Sequence, residues 1–207
     1  MRRKETDMVK TIGKIIKYTC YAMILLIVSL LIWRMCSFSS TPKEMDVLSW
    51  NSTTASAYEE HGEKMQVFDL NMSEKYRVSP DGKFSVRAVY YIPEADQLQL
   101  TVCYNDSTLK VLDEDFGPSW TLDFILTDDR DRAYFGNCVG SAEQGVYNYA
   151  RFVYDMVDLD ELDELALTVR LEGSTEQYSA VAVYHSDIPS TPKKLTKADL
   201  AGYEKVK

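Results

Sequence analysis

The chain has 207 residues, of which 45% are hydrophobic and 12% aromatic, a composition that supports one ordinary folded domain with appendages and excludes wholesale disorder. Its formal net charge of −9 is unevenly distributed, since residues 44–190 hold 10 basic and 28 acidic side chains while residues 1–17 hold six basic and two acidic ones. Because so acidic a domain repels the phosphates of DNA and RNA, we expect no nucleic-acid partner.

An apolar run from Ile15 to Trp33 is the first predicted element, and it follows a basic segment at residues 1–14. As an α-helix, its 19 residues would span roughly 28 Å, close to the thickness of a membrane hydrocarbon core. Lys17 is the only charged residue in the run. We therefore predict that residues 15–35 form a transmembrane helix through which the protein contacts the membrane.

The residues after the run bear on whether this helix is retained. The stretch "WRMCSFSS" at 33–40 puts bulky side chains where signal-peptide cleavage requires small ones. The residues before Cys36 also differ from the small residues of a bacterial lipoprotein leader. A cut near Ser39 and Ser40 is the remaining alternative to a retained signal-anchor helix, which we predict. The basic excess before the helix then places the N-terminus in the cytoplasm and the rest of the chain outside.

Two segments flank the predicted domain. Residues 36–63 are rich in Ser and Thr and show little periodicity, which predicts a linker or stalk. The folded domain is predicted over residues 64–187. The basic tail, 188–207, follows two prolines; we expect it to contain a short helix with Thr196 as N-cap and to be poorly ordered.

Residues 64–187 are dominated by β-strand patterns. Alternation along 83–92 predicts that Phe84, Val86, Ala88, Tyr90 and Ile92 share one face, and the turn residues at 93–97 predict a hairpin with the next strand. The fold class predicted is therefore all-β, an antiparallel, immunoglobulin-like β-sandwich preceded by one transmembrane helix. The predicted strands are 64–70, 83–92, 97–104, 119–128, 133–139, 147–156, 165–173 and 178–186.

Two acidic stretches are candidate metal sites, because calcium takes six to eight oxygen ligands. "VDLDELDEL" at 157–165 lacks the glycine and the glutamate spacing of an EF-hand loop. Its leucines recur at every third position, which favours a single turn with leucines inside and acids in solvent. "TDDRDRAYFG" at 127–136 interleaves both charges, which favours a self-neutralising hairpin turn. The alternative interpretation of both stretches is a metal site. Its candidate ligands are Asp158, Asp160, Asp163, Asp128 and Asp131.

Cysteine and histidine usage narrows the chemistry further. Cys103 and Cys138 are a candidate disulfide in an oxidising compartment, with Trp120 between them as in immunoglobulin domains, although their spacing is short for that family. The chain has two His, and the sequence motifs of metalloproteases, P-loop proteins and serine hydrolases are absent from it. We predict no enzymatic activity and no cofactor, with an envelope enzyme using paired carboxylates as an alternative.

The chain resembles uncharacterised single-pass membrane proteins of Gram-positive bacteria that carry an immunoglobulin-like domain outside the cell. "FILTDDRDRAYF" and "VDLDELDELALTVRLEG" are similar to strand–turn–strand segments of such domains, and the resemblance covers residues 64–186. It implies a fold and a location and brings no catalytic residues. The predicted function is a membrane-anchored extracytoplasmic binding or scaffolding module with a protein or glycan partner. An accessory subunit of a transport or secretion complex is the alternative.

Overall fold

The structure, a computed structural model, describes residues 2–39, 41–70, 78–80, 82, 84–105, 122–145, 147–171 and 180–206. The chain divides into two compact units, Met1–Ser40 and Thr41–Lys207. The first unit is the helix α1 (Arg2–Ser39). Its segment Gly13–Trp33 is long enough and apolar enough to cross a membrane, and none of it is buried. The prediction of one N-terminal apolar helix is therefore confirmed.

The second unit is built mainly from two antiparallel sheets. One has six strands in the order β10-β1-β2-β3-β7-β6, and the other has four in the order β5-β4-β8-β9. The antiparallel all-β prediction is confirmed at this level. The described elements are α2 (Ser52–His61), β1 (Phe68–Leu70), β2 (Phe84–Ile92), β3 (Gln97–Tyr104), β4 (Leu122–Asp128), β5 (Ala133–Phe135), β6 (Asn137–Gln144), β7 (Tyr147–Asp155), β8 (Glu164–Leu171), β9 (Val181–His185), β10 (Ser190–Pro192) and α3 (Lys197–Val206).

The main core lies between the two sheets. Alternate residues of β3, such as Leu98 and Leu100, meet Leu126 of the other sheet in one buried cluster. The Tyr154 hydroxyl donates a hydrogen bond of 2.9 Å to the Phe124 carbonyl oxygen, so the two sheets are joined by a buried polar contact as well. Each fully buried leucine contributes about 1.5–3 kcal/mol relative to an exposed one. The alternation of the predicted strands therefore identifies this core correctly.

A bulge in β2 changes the face of the sheet on which its side chains lie. Val86 lies opposite Val102 and Ala88 opposite Thr101, which leaves Arg87 as the extra residue. Phe84 and Val86 accordingly pack between the sheets, whereas Ala88, Tyr90 and Ile92 lie in a second core on the opposite face. The prediction that these five side chains share one face is wrong, because one inserted residue reverses the alternation that follows it.

The second core is covered by segments outside the predicted domain. Leu48 and Trp50, from the predicted linker, are buried against the outer face of the six-stranded sheet, together with part of α3. The folded unit therefore begins at Thr41 and runs to the C-terminus, not from residue 64 to 187. The structure departs from the linker prediction and from the expected poor order of the tail, because the apolar residues of these segments are too sparse to show a period. The short helix predicted in the tail is present as α3.

Residues 41–51, which we call the strap, are held by polar side chains of β3. The Gln99 side-chain amide accepts a hydrogen bond from the Ser49 backbone N–H and donates one to the Ser49 carbonyl oxygen, both at 2.8 Å. The Thr101 hydroxyl donates to the Met45 carbonyl oxygen at 3.0 Å. Gln99 and Thr101 are buried and fully engaged, as buried polar groups need to be. This polar face of β3 is therefore a docking face and not a solvent face.

The candidate disulfide is not formed in the structure, where Cys103 and Cys138 are both free thiols. β7 lies between their strands, with Cys103 opposite Tyr149 and Cys138 opposite Phe152. Two strand spacings amount to about 9.6 Å, beyond the Cα separation of about 7 Å that a disulfide tolerates. Cys103 is buried and Cys138 is exposed. The intervening Trp120 lies outside the described residues.

Candidate functional site

The two acidic stretches form neighbouring turns, and the turn between β4 and β5 is organised by Asp128. This buried carboxylate accepts hydrogen bonds from the backbone N–H groups of Arg130 and Arg132, from the Arg132 Nε at 2.6 Å, and from the Tyr134 hydroxyl. Burial alone would raise the pKa of Asp128, but these donors outweigh it and hold the pKa below its usual range. Asp128 therefore stabilises the hairpin turn with both of its oxygens.

The second acidic turn is a short 3₁₀ turn at Leu159–Glu161. Asp158 caps it by accepting a hydrogen bond of 3.0 Å from the Asp160 N–H. Its leucines are buried and its acids are exposed, so the predicted solvated turn is confirmed. Arg130 joins the two turns by donating to the Glu161 carbonyl oxygen at 3.0 Å.

The candidate metal ligands do not assemble into a site in the described part of the chain. No group of three carboxylate, imidazole or thiol side chains within it is placed to hold a metal ion. Asp128 is occupied by protein donors, and the other four candidates, Asp131, Asp158, Asp160 and Asp163, face solvent. A further acidic stretch, "DEDFG" at 113–117, lies outside the described residues.

The second unit carries a groove with a volume of about 580 Å³. It lies where the end of α2, the paired strands β1 and β10, and the start of α3 meet. The volume falls within the range of about 300–1,000 Å³ typical of small-molecule sites. The groove is lined by Tyr58, Glu63, Lys64, Met65, Gln66, Val67, Phe68, Pro192, Lys193, Lys194, Leu195 and Leu200.

The floor of the groove is apolar and its rim is charged. Met65 and Val67 are buried, and Leu195 and Leu200 are half-buried against the second core. Tyr58 belongs to a cluster of three rings with Trp50 and Tyr203, whose centroids lie 4.9–5.4 Å apart. Because ring pairs at such distances attract one another, this cluster fixes the wall of the groove on which Tyr58 lies.

Lys193 lines the groove, but its charge is already compensated. Its Nζ lies 3.5 Å from an Asp199 carboxylate oxygen and donates to the Asp46 carbonyl oxygen at 3.2 Å. It also lies 3.8 Å from the centre of the Tyr90 ring. Burial, reinforced by the nearby Asp46, raises the pKa of Tyr90 well above its usual value, so Tyr90 remains a neutral hydrogen-bond donor. Lys193 therefore has a structural role.

Asp199 ties the C-terminal helix to the strap. One carboxylate oxygen accepts from the Leu48 N–H at 2.7 Å, and the other accepts from the N–H and hydroxyl of Thr196. The Thr196 hydroxyl in turn accepts from the Asp199 N–H at 3.2 Å, which makes a capping box and confirms Thr196 as the N-cap of α3. Burial opposes ionisation of Asp199, but the hydrogen bonds and Lys193 prevail and lower its pKa.

The free positive charge at the rim of the groove comes from Lys64 and Lys194, which are both exposed. Glu63 is the one acidic residue among the lining side chains. The groove thus combines an apolar floor with two available ammonium groups, in a domain that is otherwise strongly acidic. Such a site suits a ligand with an apolar body and an anionic group, and a hydrolytic nucleophile–base pair is not among its lining residues.

Comparisons with protein-family models, with curated proteins and with solved structures found no match to this chain.

Sequence reasoning missed the groove because most of its lining residues come from the predicted linker and tail. The signal that pointed towards it was local charge, since "PKKL" at 192–195 is basic within an acidic chain. The apolar residues of the floor, such as Met65 and Leu200, have partners far away in sequence. Only the packing of the strap and α3 on the sheet brings them together.

Proposed function

We propose that this protein is a single-pass membrane protein whose second unit is an extracytoplasmic, immunoglobulin-like β-sandwich that binds a ligand at the cell envelope. The observation that carries the proposal is the Gly13–Trp33 segment, a long apolar helix of which no part is buried. Such a surface is stable in lipid, where the helix satisfies its own backbone hydrogen bonds. The six basic residues within 1–17 favour a cytoplasmic N-terminus. Two antiparallel sheets with one shared core support the sandwich architecture.

The ligand-binding site in this proposal is the groove. An apolar ligand body gains from contact with Met65, Val67 and Leu200, while an anionic group gains from Lys64 and Lys194 at the rim. The acidic surroundings oppose anions in general, so the two lysines also determine where an anion binds. We therefore assign to the groove a small amphipathic anion, such as an apolar carboxylate, sulfonate or phosphate.

Cys138 offers a direct test of topology, because it is an exposed thiol of the second unit. In a chain carrying Cys36→Ser, we expect a membrane-impermeant maleimide with a mass tag to modify the protein in intact cells, and Cys138→Ser to abolish that adduct. The buried Cys103 should react only after denaturation. Labelling of Cys138 only after permeabilisation would mean the opposite orientation. Labelled protein in the medium instead of the membrane would mean that the apolar helix is a cleaved signal.

Charge reversal at the rim tests the ligand class. For the fluorescent apolar anion 1-anilinonaphthalene-8-sulfonate, we expect Lys64→Glu together with Lys194→Glu to raise Kd by about tenfold, since two exposed charge contacts are each worth about 0.5–1 kcal/mol. Lys205→Glu is the matched control, because Lys205 is exposed on α3 outside the groove.

The uncharged analogue N-phenyl-1-naphthylamine separates charge recognition from apolar contact. Its Kd should be similar for the protein with and without the two rim substitutions. An equal loss of affinity for both probes in the rim variant would contradict the assignment of an anion site to this groove. So would an increase in Kd for Lys205→Glu as large as that for the two rim substitutions. Fluorescence titration of the full chain in detergent micelles measures all of these constants.

A further inference from the structure

β5 and β6 form one continuous edge shared by both sheets. β5 is the last strand of the four-stranded sheet and β6 is the last strand of the six-stranded sheet. Gly136 alone joins them, and a Cβ added there would lie 2.6 Å from the ring of the buried Tyr154. A residue without a side chain is therefore required for the backbone to cross between the sheets at this point. The result is an edge that runs from Ala133 to Gln144.

This edge has few of the features that protect natural sheet edges from pairing. Residues 133–142 include no charged residue, although 27% of the whole chain is charged. None of the residues of β6 is buried, and Phe135 and Val139 are 67% and 42% exposed. Lys, Pro and inward-pointing charges, which commonly block edge pairing, are absent from β6. The protective features on β6 are a bulge between Cys138 and Gly140 and the charge of Glu143.

Beyond the bulge, β6 is regular. Residues 140–144 pair in order with residues 151–147 of β7. Among the described residues, β7 is the only strand beside β6. The outward edge of these five residues therefore presents a regular row of backbone N–H and C=O groups, which is the template for strand addition.

We propose that the 140–144 edge of β6 pairs antiparallel with the same edge of a second copy of this chain, about a two-fold axis at Ala142. In this register Ser141 lies opposite the partner's Glu143, and Gly140 lies opposite the partner's Gln144. Glu143, the one charged residue of β6, thus meets a hydroxyl and not its own copy. A self-complementary edge of this kind is what a two-fold interface requires.

Charge also explains why this face and not another forms the contact. Residues 44–190 carry 18 more acidic than basic side chains, so two copies repel each other over most of their surfaces. The edge formed by β6, which carries Glu143 as its one charge, is where their approach is least opposed. Added salt screens the repulsion between the domains and leaves the backbone hydrogen bonds of the edge unaffected. The dimer should therefore become tighter as the ionic strength rises from about 0.05 M to about 0.5 M.

Two substitutions at the exposed Ser141 give opposite predictions at one position. Ser141→Lys places a positive charge opposite the partner's Glu143 and should lower the dimer Kd by about fivefold, whereas Ser141→Glu should raise it by about fivefold. Adding Glu143→Lys to Ser141→Glu should restore the affinity. Sedimentation equilibrium of the full chain in detergent micelles measures each constant, with α1 unchanged throughout.

Cross-linking provides a second measurement that reports register. With Cys20 and Cys36 replaced by Ser, Ala142→Cys should form a disulfide-linked dimer under mild oxidation, because Ala142 meets its own copy at the two-fold axis. The native Cys138 should not form a disulfide with its own copy, since it lies four residues from that axis. A monomeric chain, equal effects of Ser141→Lys and Ser141→Glu, or cross-linking of Ala142→Cys only to a different protein would each overturn self-pairing. The last result would assign the edge to a strand of that other protein.

Discussion

Replacing Asp199 with alanine is expected to lower the free energy of unfolding of the second unit by about 3–5 kcal/mol, the usual cost of removing one partner of a buried ion pair. Asp199 is 1% exposed. Without its carboxylate, the Leu48 N–H and the Lys193 ammonium lose a buried acceptor, and α3 loses its capping box. Asp199→Asn keeps the shape and one acceptor, so it should cost less than the alanine substitution.

Urea unfolding followed by tryptophan fluorescence measures these differences, because the Trp50 Nε1 donates to the Asp199 carbonyl oxygen and lies within the affected core. Asp187→Ala is the control, since the Asp187 side chain is 90% exposed. It should change the free energy of unfolding by less than about 0.5 kcal/mol. A similar small effect for Asp199→Ala would contradict the role assigned to Asp199.

The contribution of Asp199 to the free energy of unfolding should depend on pH in a definite direction. The pKa of Asp199 is lowered in the folded protein, so its ionised form contributes stability above the unfolded pKa of about 3.9. That contribution is lost as the pH falls through the folded pKa. Asp199→Asn cannot lose it, so the difference in unfolding free energy between the native chain and this variant should narrow below about pH 4. A constant difference across this range would show that the charge of Asp199 is unimportant.

A chain restricted to residues 64–187, the domain limits that the sequence predicts, is expected to lack a cooperative unfolding transition. It loses the buried Leu48 and Trp50 and the whole of α3, and it exposes the outer face of β2, including Tyr90 and Ile92. Each large buried apolar side chain is worth about 1.5–3 kcal/mol, so the total loss is comparable with the roughly 5–15 kcal/mol that stabilises an ordinary domain.

The matched comparison is a chain of residues 41–207, which contains the complete second unit. We expect it to unfold cooperatively and to protect its backbone amides in β3 from hydrogen exchange. A chain of residues 41–187 should lie between the two, because it keeps the strap but lacks Asp199. Cooperative unfolding of residues 64–187 with a comparable midpoint would show that the strap and α3 are dispensable for the fold.

The strands that face the inter-sheet core were predictable because their alternation is a local property. Leu98, Leu100 and Val102 occupy every second position of β3, and no other arrangement buries all three. The other face of the same strand carries Gln97, Gln99 and Thr101. Polar residues of this kind usually indicate a solvated face, but here they bind the strap, so the second core was hidden from pattern reasoning.

The acidic turns depend on contacts that are local in sequence, whereas the groove depends on contacts between distant segments. The partners of Asp128 lie within six residues of it, and the leucines of the 3₁₀ turn are its immediate neighbours. Both turns were therefore predictable. The groove joins Met65 to Leu195 and Leu200, and Arg87 shifts the alternation of β2 by one inserted residue. Long-range packing and a single-residue bulge leave no periodic signal in one sequence.

The hydrogen bond between the Leu48 N–H and the Asp199 carboxylate has a mechanical consequence. Along the chain, a pull exerted from α1 enters the second unit at Thr41 and therefore loads the strap first. The strap is secured at Met45, Leu48 and Ser49 by hydrogen bonds that follow one another along the chain, so a rising load breaks them in sequence and not all at once. The Met45 bond leads to Thr101 of β3 and the Leu48 bond leads to Asp199 of α3, so the load is divided between the six-stranded sheet and the C-terminal helix. Release of the strap and α3 would uncover the second core, so under load we expect the second unit to yield first on this side and to lose its cooperative stability as these two segments detach.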